Sequence, residues 1–158
     1  MEQKFNTSLV SGFGPAKMLP DLKFAEMEAG FDCGGGTYKI TAEEVAKFAA
    51  LMGDSNKGDV SVPVGMIYIF GLRICWDRKV FLDGAVRAGD KIVFHKPAKI
   101  GDIITTKLSI ADKKEVKKEK DGQVRISKFL SVDMNATNQA GDKIVDIQMS
   151  FLLPKTMQ

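Results

Sequence analysis

The stretch TAEEVAKFAALMGDSNKGD, residues 41–59, holds the element on which the reading of this chain turns. Thr41 and Glu44 have the T-x-x-E spacing of a capping box: the threonine oxygen accepts a first-turn N–H and the glutamate reaches back to the cap. Val45, Phe48, Ala49 and Met52 then recur at i, i+3, i+4 and i+7, one apolar stripe of a 3.6-residue period. Gly53 follows as a C-terminal stop, because glycine enters the left-handed conformation without a Cβ clash. Asp54, Ser55 and Asn56 come next, so a capped helix runs directly into a loop that carries a carboxylate.

Upstream, Met1 to about Asp21 carries Gly12, Gly14, Pro15 and Pro20 without sustained periodicity and reads as an arm, residues 1–21. Gly34, Gly35 and Gly36 match neither a Walker loop nor a dinucleotide fingerprint, and are expected to form a turn. Downstream, Pro63 suits the first turn of a second helix, from about Val64 to Val80. Met66, Ile67, Tyr68, Ile69, Phe70 and Leu72 make that helix apolar nearly all round, so it is covered on several sides. A subunit interface and a wrapping by the chain's own sheet both satisfy that requirement.

The period then changes. Ile104, Thr106, Leu108 and Ile110 alternate with polar neighbours, as do Val124, Ile126, Leu130, Val132 and Met134, and then Val145, Ile147, Met149, Phe151 and Leu153. These are half-buried antiparallel strands, with turns at Lys99–Asp102 and Asn138–Asp142. The sign-alternating block Lys113–Lys120 leads into Asp121-Gly122 and reads as a solvated hairpin end, with a basic contact for a phosphorylated cofactor as the alternative. A long helix followed by such strands predicts an α+β domain in which an antiparallel sheet wraps a central helix, over residues 22–158.

Composition narrows the class. With 44% hydrophobic residues among 158, the chain is one domain able to bury a core. A net charge of +3 from 23 basic and 20 acidic residues argues against a nucleic-acid or membrane-surface partner. Cys33 and Cys75 have no metal-ligand spacing and are expected as free thiols, and no signal-peptide pattern is visible. A cytoplasmic protein is expected.

The order of these pieces resembles the MaoC-like acyl-CoA hydratases and dehydratases of the hotdog fold, over about Phe24 to Pro154. Phe48–Asn56 (FAALMGDSN, containing G-D-x-N) and the P-x-x-x-G-D of Pro97, Gly101 and Asp102 carry the resemblance. It implies an acyl thioester, on coenzyme A or an acyl carrier protein, lying beside the helix at a dimer interface, with no cofactor and no metal. It implies Asp54 as the catalytic aspartate, Asn56, Gly65 and Met66 as substrate-binding positions, and P-x-x-x-G-D as a structural turn. In the family the aspartate and a histidine five residues later activate water for addition across a 2-enoyl double bond, while a backbone N–H polarises the carbonyl.

In this chain the histidine position is Asp59, and Lys57 and Gly58 replace the usual proline and aliphatic residue. The segment from Asp54 to Val64 also looks shorter than the family's, which shapes the acyl pocket there. A second carboxylate near Asp54 raises the pKa of one of the pair by like-charge repulsion, which keeps an acid/base pair open. His95, the only histidine, falls in an expected strand from Ile92 to Pro97, as a strand or surface residue or as a substitute base. Asp54 and Asn56 also read simply as turn formers. Three outcomes follow: a non-catalytic subunit that shapes the acyl tunnel and docks onto a partner carrying the complete Asp/His pair, in a homo-oligomer or a heteromer with a second hotdog chain; an active hydratase or thioesterase using Asp54 with Asp59 or His95; or a non-enzymatic acyl-thioester-binding protein.

Overall fold

The computed structural model describes residues 11–14, 17–53 and 62–157. Alternating apolar residues become strands and the two helical patterns become helices: β1 (Ser11–Phe13), β2 (Asp32–Lys39), α1 (Ala42–Met52), α2 (Val64–Asp77), β3 (Val86–Phe94), β4 (Ile103–Lys120), β5 (Gln123–Thr137) and β6 (Lys143–Leu152). The six strands form one antiparallel sheet in the order β1-β2-β4-β5-β6-β3, which leaves β1 and β3 at its edges. Within the stretch expected to be an arm, the described part supplies edge strand β1 and a short 3-10 turn, Leu19–Asp21, whose Leu19 is buried.

One sheet face is the core. Ile104, Leu108 and Ile110 of β4, Leu130, Val132, Met134 and Ala136 of β5, and Val145, Ile147, Met149 and Phe151 of β6 are all buried, as period-two alternation requires. Val124 and Ile126, expected on the same face, are exposed instead. The β5–β6 ladder begins at Phe129, so these two residues lie on a ribbon that no third strand supports. Asp121 and Gly122 close that ribbon with positive φ at both positions (54° and 73°), the geometry of a two-residue turn matched to strand twist.

The helix that the sheet wraps is α2. Met66, Ile67, Gly71, Ile74 and Cys75 are buried against it, Phe70 stacks on Tyr38 at 4.7 Å, and Cys75 Sγ lies 3.6 Å from Met134 Sδ. A Cβ at Gly71 would overlap the Met134 thioether, so the missing side chain lets the helix settle close to β5. Of the two coverings open for this helix, its own sheet supplies one, while Val64, Ile69 and Trp76 stay exposed.

Helix α1 begins and ends where its caps dictate. Thr41 Oγ1 accepts the Glu44 N–H at 3.3 Å, and Gly53 at φ 69° returns its N–H to the Ala49 and Ala50 carbonyls. Its stripe is displaced from the expected one. Phe48 is buried, Val45 and Ala49 are half-buried and Met52 is exposed, because α1 makes its contact through Phe48 against the Gly65 turn of α2.

The reciprocal half of the capping box is not made. Glu44 is 5% exposed and neither carboxylate oxygen has a partner among the described residues. Burial pushes its carboxyl above the ordinary 4.5, with Lys47 opposing. A carboxyl with a raised folded pKa takes up its proton more readily in the folded chain, so its penalty is absent below the unfolded value and grows as pH rises through the folded one. Glu44→Gln is therefore expected to stabilise the fold at neutral pH by about 1 kcal/mol. The gain should vanish in urea melts taken below the ordinary carboxylate range.

The three glycines form a strand where a turn was expected. Gly34, Gly35 and Gly36 lie inside β2, buried and paired with Leu108, Lys107 and Thr106 of β4. Gly34 has a φ of 87° at a bulge in that ladder. A Cβ on Gly35 would overlap the Thr106 carbonyl oxygen and come within 2.7 Å of Phe13 Cζ. The glycines thus let β1 and β4 close on β2 from both sides, a tertiary demand that composition alone does not announce.

Candidate functional site

Asp54, Asn56 and Asp59, with Lys57 and Gly58 between them, lie outside the described residues. The two walls that flank them are described. On one side α1 ends at Gly53; on the other, Val62 is buried and donates its N–H to the Ala98 carbonyl at 3.1 Å, just before α2 starts. Pro63 caps α2 with φ −56°, a ring-fixed angle suited to a helix start.

Gly65 lies in the first turn of α2, exposed, and a Cβ there would only touch Phe48 Cζ at 3.4 Å. Met66 is 1% exposed and bonds back to the Pro63 carbonyl, so its side chain is core. Helix geometry leaves the Val64 and Gly65 N–H groups without intrahelical acceptors, and the dipole at this end favours a developing negative charge. Beside this turn lies an apolar cleft of about 250 Å³, walled by Val62, Val64, Ile67, Phe94, Pro97 and Ile144, with His95 and Lys96 also lining it. This end of α2 can polarise a carbonyl and house a short apolar chain.

His95 follows β3, which ends one residue earlier, at Phe94. Its N–H bonds the Ile144 carbonyl at 2.9 Å and its Nε2 lies 2.7 Å from Asp146 Oδ2. Asp146 stands between buried Val145 and Ile147 and so belongs to the face of β6 turned away from α2. That bond draws the imidazole outward. Lys143 is 3.5 Å from the same carboxylate.

Asp102 performs the structural task expected of P-x-x-x-G-D. Its carboxylate accepts the Lys99 N–H at 2.9 Å and the Gln139 amide at 3.0 Å, while Gln139 accepts the Ile103 N–H at 2.9 Å. Gly101, at φ 94°, and the Asp102 carbonyl exchange backbone bonds with Ile40. The turn before β4 is thereby fastened both to the end of β2 and to the β5–β6 turn.

One polar cluster was not foreseen. Arg87 and Asp90 of β3 pair at 2.7 Å, and the Tyr68 hydroxyl of α2 accepts from Arg87 at 2.9 Å and donates to Asp90 at 3.1 Å. Burial pushes the Tyr68 phenol up. Tyr68 is 19 residues from Arg87 and 22 from Asp90 in sequence, and only the placing of α2 beside β3 unites them. Cys33 and Cys75 are free and buried, each thiol pushed up to about 12 by burial, so neither is a thiolate nucleophile. Among the described residues no group of three or more His, Cys, Asp or Glu could hold a metal, and no helix is long and apolar enough to cross a membrane.

No protein-family model and no curated protein sequence matches the chain. Solved structures do. A monoamine oxidase regulatory protein from Archaeoglobus fulgius matches with a TM-score of 0.67 at 17% identity, over 84% of this chain and 94% of its own. An (R)-hydratase from A. caviae involved in PHA biosynthesis matches with a TM-score of 0.60 at 20% identity, over 82% of this chain and 98% of its own. The HadBC (3R-hydroxyacyl-ACP dehydratase) complex from Mycobacterium tuberculosis matches with a TM-score of 0.52 at 14% identity, over 92% and 96% respectively. At such identities the likeness establishes the fold: the chain has the hotdog fold of the MaoC-like proteins.

Proposed function

We propose that this chain is an acyl-thioester-binding subunit of the MaoC-like hydratase and dehydratase group, which lacks the complete Asp/His pair, shapes the acyl site and works with a catalytic partner chain that carries that pair. The observation that carries this reading is His95. The chain's only imidazole borders the cleft beside α2 but is already engaged at 2.7 Å by Asp146 of β6, while the position five residues after Asp54 is another carboxylate. Hydration needs a base near neutral pKa where water attacks the double bond. The partner supplies that base in this reading, while Asn56 and the free Gly65 N–H in the first turn of α2 hold the thioester, carried on coenzyme A or an acyl carrier protein.

A second copy of the chain, or a related hotdog chain, belongs against β3 in this reading. Ile92 and Phe94 point to the α2 side of the sheet, opposite Ile147 and Val145, yet are 39% and 53% exposed. Beside them Val64 and Ile69 of α2 are about half exposed. An unpaired strand edge next to an uncovered apolar helix face is what a subunit contact requires.

The test is the purified chain with crotonyl-CoA. Binding without hydration is expected. Unaided hydration that falls by about a hundredfold or more in Asp54→Asn would make the chain an enzyme in its own right, and parallel loss in His95→Ala would assign the base to His95. Release of free thiol would select a thioesterase. Absence of both binding and turnover would remove the acyl-site reading altogether.

A further inference from the structure

The β4–β5 ribbon carries a sorted distribution of charge. Beyond Phe129 its strands form a ladder only with each other, through Glu115↔Lys128 to Lys120↔Gln123, apart from the Leu153 N–H donated to the Lys128 carbonyl at 2.8 Å. Register assigns its faces. Leu130 is buried on the α2 side, so its partner Lys113 and the alternate residues Glu115, Lys117 and Glu119 share that side. Lys114, Val116, Lys118 and Lys120, with Phe129, Ser127 and Arg125 opposite, occupy the outer face.

The two faces differ in how their cations are used. On the α2 side Lys117 pairs with Glu115 at 3.7 Å, Lys113 donates to the Phe24 and Ala25 carbonyls at 3.0 and 2.9 Å, and Lys128 lies over the Phe24 ring. On the outer face Lys114, Lys118, Lys120 and Arg125 are exposed, and none makes an ion pair among the described residues. Half-buried Val116 and Phe129 lie in a groove of about 440 Å³ with Lys114 and Lys118, and Asp112 is at its inner end.

The geometry points to a docking groove for an extended acidic segment of a partner protein, with carboxylates four residues apart and an apolar residue midway. Lys114 and Lys118 stand roughly 13 Å apart along the strand, with Val116 between them, and an extended polypeptide places its own i, i+2 and i+4 side chains at that spacing. A polynucleotide would match the cations but offers no apolar side chain to the Val116 and Phe129 floor. Unneutralised cations at the rim give such contacts their rate and selectivity. This surface is separate from the thioester site and does not depend on its reading.

The probe is a fluorescein-labelled peptide with Glu at every fourth residue, Val midway between and Ser elsewhere, followed by anisotropy with the full chain. The expected result is binding that weakens with salt, and is reduced at least tenfold in Lys114→Glu/Lys118→Glu. The control Lys91→Glu/Lys117→Glu makes the same charge change off the groove and should bind as wild type. Lys114→Gln/Lys118→Gln, with an intermediate loss, guards against a folding defect. The proposal is overturned if the wild-type chain does not bind, if groove and control variants lose affinity equally, or if oligothymidylate or phosphatidylserine vesicles bind more tightly than the peptide.

Discussion

Gly35→Ala is expected to destabilise the protein by about 3 kcal/mol or more, the upper end of what overpacking by one methyl group costs. The added carbon would overlap the Thr106 carbonyl oxygen and press on the Phe13 ring. A flexible side chain can swing away from such a clash, but Thr106 contributes backbone of the neighbouring strand, so the β2–β4 ladder itself must part. Typical domains have only about 5–15 kcal/mol in hand, so a large drop in the urea midpoint is expected. Gly89→Ala is the control, because Gly89 is also a strand glycine and a Cβ there meets nothing within 4 Å. A Gly35→Ala variant with the wild-type midpoint would show that β1 and β4 do not hold β2 as closely as described.

Phe94→Lys combined with Ile92→Lys is expected to convert the dimer proposed through β3 to monomers, raising the dissociation constant by about a hundredfold or more. The estimate follows from area: finishing the burial of a large apolar side chain is worth about 1 kcal/mol or more. In a two-fold contact every substitution counts twice, and each lysine also carries a charge into the contact. Light scattering across a dilution series reads the result directly. An unchanged dimer would locate the contact away from β3, whereas a wild-type monomer at all concentrations would leave the exposed α2 face for a different chain.

Much of this architecture is legible in residue order, and the exceptions share one cause. Local signals worked: the Thr41 cap, the Gly53 stop, the Asp121-Gly122 turn and the alternating strands all depend on neighbours in sequence. Signals that failed depend on distant partners. The glycines of β2 answer to Phe13 and Thr106, and Glu44 lacks the cap bond its spacing invites. The faces of the ribbon were hidden by a single residue. Ala111 is a bulge between Ile110 and Asp112, and without it strict alternation from buried Ile110 would turn Lys114 and Lys118 toward the helices. Of the site, the sequence supplied Asp54, Asn56 and Asp59 by resemblance to a motif. What it lacked was the partner of His95, because nothing local predicts that Asp146 would face it across a strand pair.

The two edges of the sheet are unequal, and that inequality limits how many copies can add to it. Among the described residues one edge is β1, three residues long, whereas β3 offers nine. If both edges were equally open, each added chain would present a fresh edge, and pairing would propagate into a filament. In the pairing proposed through β3, two chains would cover each other's nine-residue edge and leave the described part of β1 at both ends. On that proposal, addition through the sheet ends would stop at the pair, and the short described stretch of β1 would act against polymerisation.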